Sequence, residues 1–209
     1  MSGRIERVGI YGGTFSPIHM GHVRAALAYM EQEQPDRLLV IPTATPPHKA
    51  EVAGADEMQR LHMVKLAFAG CDAYRRGQLE VSDCEIRRTG KSYTVLTLEE
   101  LSAPDRELSL LVGTDMFLTL DQWFRAEDIF RLARIVLMRR ENESANDAAI
   151  AGKWTNYEQH YGARLARIHL PPLVVSSTEL RQRLKDGGTT EGLLPDGVAA
   201  YIAENNLYK

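Results

Sequence analysis

The chain has 209 residues, of which 44% are hydrophobic and 25% are charged, and its formal net charge is −3. This is the composition of an ordinary folded protein, and it excludes a wholly disordered chain. The sequence has no dominant basic block, which argues against a nucleic-acid partner but leaves small phosphorylated ligands open. No apolar run reaches about 18 residues and the N-terminus lacks the apolar core of a signal peptide, so we expect no membrane partner.

The cysteine content indicates a reducing compartment. Cys71 and Cys84 are the two cysteines of the chain, and they do not form a C-x-x-C pair. We therefore expect free thiols and a cytoplasmic location. A cysteine-rich zinc site is excluded by the number of cysteines.

The hydrophobic pattern alternates between short apolar runs, typical of strands, and apolar residues at three- and four-residue steps, typical of helices. In chain order, the pattern predicts a strand at 7–11, a helix at 22–32, a strand at 38–42, a helix at 57–69, a strand at 79–82, a helix at 93–101, strands at 107–112, 134–138 and 167–170, and helices at 177–185 and 196–204. Residues 139–153 are polar, and we predict an exposed loop there.

This alternation predicts an α/β fold with an open, mainly parallel sheet and helices on both faces. The strand at 38–42 is apolar on both sides, as expected where helices cover both faces of a sheet. No boundary stands out, so we expect a single domain over residues 1–209, with a C-terminal helical part at about 176–209. Ligands of such sheets bind beyond the carboxyl ends of the strands, which directs attention to the segments that follow them.

The segment after the first strand, residues 12–22, reads GGTFSPIHMGH. Glycines let a backbone approach a phosphate closely, and the helix that follows offers unpaired N–H groups. His19 and His22 are three residues apart and can point the same way, as donors to phosphoryl oxygens. A metal pair would need a third ligand, and none is evident. A glycine turn with surface histidines is the remaining alternative.

A second segment, residues 176–181, reads SSTELR. Ser176 and Glu179 have the spacing of a capping box, so a helix N-terminus alone would explain them. Arg181 adds a cation that opposes the helix dipole by roughly 0.3–1 kcal/mol, and a bound anion would reverse the sign of that interaction. Hydroxyls, open amides and a guanidinium together could clamp a triphosphate.

Shorter segments each allow two interpretations. Lys49, after Pro46-Pro47, is a phosphate contact or a solvated loop lysine. Asp115, in Gly113-Thr114-Asp115, caps the next helix or meets a ribose hydroxyl. Trp123 and Phe124 are core residues or a platform for a flat heterocycle. Ser92-Tyr93-Thr94 caps a helix or donates hydrogen bonds to an anionic head group.

The residues at 13–22 resemble the G-x-F-x-P-x-H-x-G-H signature of the nucleotidyltransferase superfamily, and those at 176–181 resemble its second signature, S-S-T-x-[IL]-R. The segments at 46–49, 90–94, 113–115 and 123–124, with the chain ending at 195–208, look like those of bacterial nicotinate mononucleotide adenylyltransferases. One departure is Ser16, where that family usually carries aspartate.

The resemblance implies a Rossmann-like fold and adenylyl transfer from ATP to nicotinate mononucleotide, which yields nicotinate adenine dinucleotide and pyrophosphate in NAD biosynthesis. It implies ATP and nicotinate mononucleotide as partners, with Mg²⁺ carried on the ATP phosphates. It leaves open whether the protein is a monomer or a homo-oligomer. Two alternatives remain: an adenylyltransferase acting on phosphopantetheine or nicotinamide mononucleotide, and a non-catalytic nucleotide sensor.

The same resemblance implies catalytic roles for His19, His22 and Arg181 at the ATP phosphates, and no protein metal ligand. The expected ATP-binding residues are Gly12, Gly13, Thr14, Phe15, His19, Gly21, His22, Gly113, Asp115, Ser176, Ser177, Thr178 and Arg181. The expected substrate-binding residues are Lys49, Ser92, Tyr93, Thr94, Trp123 and Phe124.

Overall fold

The computed structural model describes residues 4–44, 54–140, 144–170 and 175–209. Within these residues the strands are β1 (Glu6–Gly13), β2 (Arg37–Pro42), β3 (Leu79–Val81), β4 (Arg106–Gly113), β5 (Ala133–Arg140) and β6 (Leu165–Leu170). The helices are α1 (Met20–Glu33), α2 (Glu57–Phe68), α3 (Asp72–Arg75), α4 (Cys84–Arg87), α5 (Thr94–Leu101), α6 (Thr114–Thr119), α7 (Ala126–Leu132), α8 (Asp147–Tyr161), α9 (Ser177–Lys185) and α10 (Asp196–Glu204). Short 3-10 turns occupy Leu120–Gln122 and Ser144–Asn146.

The strands form one sheet in the order β3-β2-β1-β4-β5-β6. β1 pairs in parallel with β4, β4 with β5, and β5 with β6. This order reverses direction between β1 and β4, which is the switch point of a doubly wound Rossmann fold. Successive strand residues point to opposite faces, and Ile135, Val136 and Leu137 of β5 are all 0% exposed. Both faces are therefore covered, and the predicted open parallel α/β sheet is confirmed.

The chain divides into two compact units, each assembled from separate stretches. The first unit contains residues 1–11, 28–38 and 93–172, and the second unit contains residues 12–27, 39–92 and 173–209. The expectation of a single domain stays a prediction. No helix in the described part of the chain has both the length and the apolar character needed to cross a bilayer.

Each unit has its own core. In the first unit, the hydroxyl of the fully buried Tyr157 donates to the carbonyl of Phe117 at 2.7 Å, and its ring packs 4.7 Å from that of Phe130. In the second unit, α2 packs against α10. The buried side chains of Phe68 and Val198, each 0% exposed, belong to these two helices.

Most predicted elements are confirmed with small shifts at their ends, but the loop predicted at 139–153 is wrong. Arg139 is the penultimate residue of β5, and α8 begins at Asp147. Residues 141–143 lie outside the described part of the chain. The first turns of α8 are rich in alanine, the strongest helix former, while its buried residues Ile150 and Tyr157 are seven positions apart. That spacing is too sparse to show a helical periodicity.

Candidate active site

The glycine turn (residues 12–22), which runs from the end of β1 into α1, belongs to the second unit and has a strained backbone. Phe15 has a φ of 48°, in the left-handed region that a bulky residue rarely adopts. Its buried ring lies over Gly13, where an added Cβ would come within 2.8 Å of the ring. The amide of Thr43 donates to the carbonyl of Gly13 at 2.9 Å, which ties the start of the turn to the end of β2. Gly13 is therefore required by close packing, whatever else it does.

The two histidines of the turn stack on each other at the start of α1. The ring centroids of His19 and His22 are 3.7 Å apart, with 25° between the ring planes. Nδ1 of His22 accepts the backbone N–H of His19 at 3.3 Å. A neutral His22 therefore carries its proton on Nε2, the nitrogen that would donate to a phosphoryl oxygen. A Cβ added at Gly21 would lie 3.0 Å from the His19 ring, so that glycine makes room for the buried imidazole.

The second signature begins α9 and contacts the first. Ser176 is the N-cap, and its Oγ accepts the amide of Glu179 at 3.1 Å, so the predicted capping role is confirmed. Ser177 Oγ donates to the carbonyl of Pro17 at 3.0 Å. The guanidinium of Arg181 donates to the carbonyl of Ser16 at 2.7 Å.

These contacts bring the two signatures together within the second unit, although they lie far apart in the sequence. Arg181 also donates to Thr178 Oγ1 at 3.0 Å, and the guanidinium carries further N–H groups in the same plane. The arrangement therefore combines a guanidinium, paired imidazoles and the N-termini of α1 and α9, a set suited to a polyphosphate. Across the residues that the structure describes, no group of histidines, cysteines and carboxylates is able to hold a metal ion.

The first unit carries the aromatic candidates. Tyr93 is the N-cap residue of α5, and its side chain makes no capping hydrogen bond. The Tyr93 ring lies 4.5 Å from that of Phe124, and Phe124 is 52% exposed, which excludes a core role for it. The next residue, Arg125, pairs with Glu99 of α5 at 2.6 Å and fixes the backbone beside Phe124. Trp123 is half-buried.

The other candidates of the first unit, Thr94, Gly113 and Asp115, lie at helix starts. Thr94 is the first residue of α5, and Gly113 is the N-cap of α6. Asp115 is exposed in the first turn of α6, where a carboxylate is favoured by the helix dipole, but it is not the cap. Of the two alternatives for Asp115, the capping role is therefore wrong, and a contact to a ribose hydroxyl stays a prediction.

Two more candidates, Ser92 and Gly12, belong to the second unit. Ser92 is buried in that unit, and within the described structure its Oγ has no hydrogen-bond partner, which leaves a desolvated hydroxyl. Gly12 is the penultimate residue of β1, and no atom lies within 4 Å of a Cβ added there. Lys49 lies outside the described residues.

Two residues outside both signatures contact the glycine turn. Arg60 of α2 is completely buried, and burial lowers the pKa of its guanidinium, which nonetheless stays protonated at any ordinary pH. Tyr208 is buried, and its hydroxyl lies 3.1 Å from Ser16 Oγ. Burial raises the pKa of Tyr208 to about 12, and the bond to Ser16 partly opposes that rise. The helical spacing of Arg60 with Met63, Val64 and Ala67 was a usable signal, because it places Arg60 on the buried face of α2.

Comparison with known proteins finds a family model and many relatives that match this sequence. The model of the cytidylyltransferase-like family matches residues 10–183. A probable nicotinate-nucleotide adenylyltransferase of Desulfatibacillum aliphaticivorans is 36% identical, over 97% of this chain and 99% of the relative. A protein of the same name from Synechococcus sp. (strain JA-3-3Ab) is 39% identical, over 97% of this chain and 95% of the relative.

Solved structures support the fold. The nicotinic acid mononucleotide adenylyltransferase of Plasmodium falciparum, complexed with NaAD, superposes with a TM-score of 0.78 at 18% sequence identity, over 97% of both chains. The same enzyme complexed with APC gives a TM-score of 0.77. At this level of identity the likeness establishes a shared architecture.

Proposed function

Because the chain belongs to the cytidylyltransferase-like family and, within it, to the nicotinate-nucleotide adenylyltransferases, we propose that it transfers the adenylyl group of ATP to nicotinate mononucleotide. The products are nicotinate adenine dinucleotide and pyrophosphate, and the step belongs to NAD biosynthesis. The observation that carries this proposal is the contact between the two signatures, in which Arg181 of α9 donates to the carbonyl of Ser16 at 2.7 Å.

The nucleophile of this reaction is the phosphate of the mononucleotide itself. A phosphate monoester has a second pKa near ~6 and is largely dianionic at neutral pH, so it needs little help from a general base. The sequence carries no evident Ser-His-Asp or Cys-His arrangement, which agrees with direct in-line displacement at the α-phosphorus. The bond from the α-phosphorus to the leaving pyrophosphate breaks as the new phosphoanhydride bond forms.

The protein must therefore align two anions that repel each other and stabilise the charge that develops on the phosphates. We assign this work to His19, His22 and Arg181. The Nε2–H of His22 and the remaining N–H groups of Arg181 are suitable donors to phosphoryl oxygens. The neighbouring backbone at Gly12, Gly13, Thr14, Phe15 and Gly21, and the hydroxyls of Ser176, Ser177 and Thr178, complete the proposed phosphate site, while Gly113 and Asp115 are proposed to meet the nucleoside.

We assign recognition of the mononucleotide to Ser92, Tyr93, Thr94, Trp123 and Phe124, with Lys49 as a phosphate contact. The exposed ring of Phe124 next to Tyr93 offers a surface on which a pyridine ring can stack. The amides at the start of α5, which the Tyr93 side chain does not cap, are suitable donors for the nicotinate carboxylate.

Mg²⁺ is proposed to arrive with ATP. The donor set of imidazoles, a guanidinium and amides suits phosphate oxygens, whereas Mg²⁺ prefers oxygen ligands and often takes them from the substrate phosphates. Bound there, the ion would neutralise charge on the departing pyrophosphate. We also propose a cytoplasmic location, in keeping with the free thiols of Cys71 and Cys84.

The test is a pyrophosphate-release assay with Mg-ATP and one acceptor at a time: nicotinate mononucleotide, nicotinamide mononucleotide or phosphopantetheine. We expect the largest kcat/KM with nicotinate mononucleotide. Preference for either of the other acceptors would reassign the substrate. Tight binding of Mg-ATP without pyrophosphate release in any mixture would favour a nucleotide sensor and overturn the proposal.

A further inference from the structure

Three backbone carbonyls of the second unit converge on one buried guanidinium. Nη1 of Arg60 donates to the carbonyl of Thr14 at 2.7 Å and to that of Thr43 at 2.6 Å, and Nη2 donates to the carbonyl of Ala44 at 3.0 Å. Thr14 belongs to the glycine turn after β1, whereas Thr43 and Ala44 begin the segment after β2. One side chain of α2 therefore links the two chain segments that follow neighbouring strands.

The link depends on the particular chemistry of arginine. Convergent carbonyl oxygens repel each other unless a donor lies between them, and a buried cation is costly unless its N–H groups are satisfied. The planar guanidinium supplies these donors through Nη1 and Nη2, while its buried Nε has no hydrogen-bond partner among the described residues, and a lysine ammonium cannot reproduce that fork. Among the described residues, no carboxylate forms an ion pair with Arg60, which is 0% exposed.

The hydrogen bonds also orient the peptide groups of the glycine turn. In a trans peptide the C=O and N–H groups point in opposite directions. Because the carbonyl of Thr14 points at Arg60, the N–H of Phe15 in the same peptide group points away from it. The bond at the Thr43 carbonyl directs the N–H of Ala44 in the same manner. Arg60 thus holds the N–H groups of Phe15 and Ala44 in an orientation that points away from its guanidinium.

We propose that Arg60 is a positioning residue for adenylyl transfer: by joining the glycine turn to the segment after β2, it sets the separation and the peptide orientation of the two segments that receive the substrates. This inference rests on the proposed function. The glycine turn is the proposed ATP site, and the segment after Ala44 leads in sequence to Lys49, the proposed phosphate contact. A single change at Arg60 should therefore impair recognition of both substrates.

The experiment compares Arg60→Lys with Arg106→Lys as a matched control. Arg106 also donates to a backbone carbonyl, that of Leu101 at 3.2 Å, and pairs with Glu6 at 2.9 Å, but it lies in the first unit outside every proposed site. We expect Arg60→Lys to raise the KM for ATP and the KM for nicotinate mononucleotide together. The combined kcat/KM should fall by about 10²-fold, as for a misplacement of about 1 Å. Arg106→Lys should leave both KM values unchanged.

A folded Arg60→Lys variant with both KM values unchanged, or with only one of them raised, would overturn the inference. If Arg60→Lys fails to fold, hydrogen exchange on the unmodified protein decides: Mg-ATP without acceptor should protect residues 13–18 and 39–44 together. Protection of the first segment alone would overturn the link. Loss of the proposed function is distinguishable, because the unmodified protein would then release no pyrophosphate from ATP and nicotinate mononucleotide.

Discussion

Ser16 is the residue at which this chain departs from the aspartate that the family resemblance leads us to expect, and its surroundings show what a neutral side chain permits. Its hydroxyl lies 3.1 Å from that of the buried Tyr208, and its carbonyl accepts from Arg181. A carboxylate here would partly neutralise the guanidinium of Arg181. With serine, the charge of Arg181 stays available to an anion, and the buried phenol of Tyr208 supports the turn without adding negative charge.

His22 is the side chain for which a loss of activity is expected with the least damage to the fold. Replacing it by alanine removes the proposed Nε2–H donor and should lower kcat by roughly 10²–10³-fold, the cost of one lost transition-state donor. Pyrophosphate release and circular dichroism measure the two effects separately. His160→Ala, at an exposed position of α8, serves as the control. Near-normal turnover by a folded His22→Ala protein would contradict the assignment.

Tyr208 should give the protein an alkaline limit. Its pKa of about 12 when folded exceeds the ordinary value of 10.0, so the folded state keeps a proton that the unfolded state releases. The contribution of Tyr208 to the free energy of unfolding is complete below pH 10 and declines as the pH rises towards 12. The full loss is about 3 kcal/mol. Urea unfolding at pH 9 and pH 11 should show a smaller decline for Tyr208→Phe than for the unmodified protein; equal declines would refute this origin.

At the scale of elements, the N-terminus of α9 serves two purposes that substitution can separate. Ser176→Ala should lower the free energy of unfolding by about 1 kcal/mol, because the amide of Glu179 loses its cap. Ser176→Asp should restore stability, since aspartate caps helices equally well, but its charge should raise the KM for ATP. Chemical denaturation and steady-state kinetics check the two parts. An aspartate variant with unchanged KM for ATP would place Ser176 outside the phosphate site.

Which elements the sequence predicts depends on how densely their buried residues are spaced. β2 has buried side chains at nearly every position, and α2 has them at three- and four-residue steps. Both elements are therefore recognisable from the sequence. α8 has buried side chains at Ile150 and Tyr157 only, and this spacing shows no helical periodicity. Very short helices such as α3, which has no buried residue, leave no pattern at all.

The candidate site was predictable in its residue types but not in its contacts. The glycine turn and the α9 signature each indicate a phosphate site through their own residue types. The hydrogen bond from Arg181 to Ser16 joins residues 165 positions apart, and no local pattern predicts it. Arg60 was overlooked because a charged residue within a helix is ordinarily solvated. Its spacing with Met63 and Val64 places it on the buried face of α2. A charged side chain at a buried position is a conflict of the kind expected at functional positions.

At the scale of the whole molecule, the proposed function requires the protein to discriminate between acceptors, and the acceptor preference tests the proposed contacts to the nicotinate carboxylate. Nicotinate mononucleotide should be preferred to nicotinamide mononucleotide, because a carboxamide loses charge-assisted hydrogen bonds worth roughly 1.5–3 kcal/mol at the proposed amides of α5. The corresponding ratio of kcat/KM values is about 10–150-fold. Competition between the two acceptors at fixed Mg-ATP measures it directly. Equal values would contradict the assignment of Tyr93 and Thr94 to the carboxylate.

The second unit draws its residues from three stretches, the last of which is 173–209. A ribosome producing this chain in order therefore completes the first unit before the second, since the first unit ends at residue 172. Ser177 and Arg181 are synthesised long after the glycine turn that they contact. The proposed phosphate site can therefore assemble only after residues 176–181 have been synthesised, and a chain truncated before residue 173 would lack Ser177 and Arg181, which contact the glycine turn.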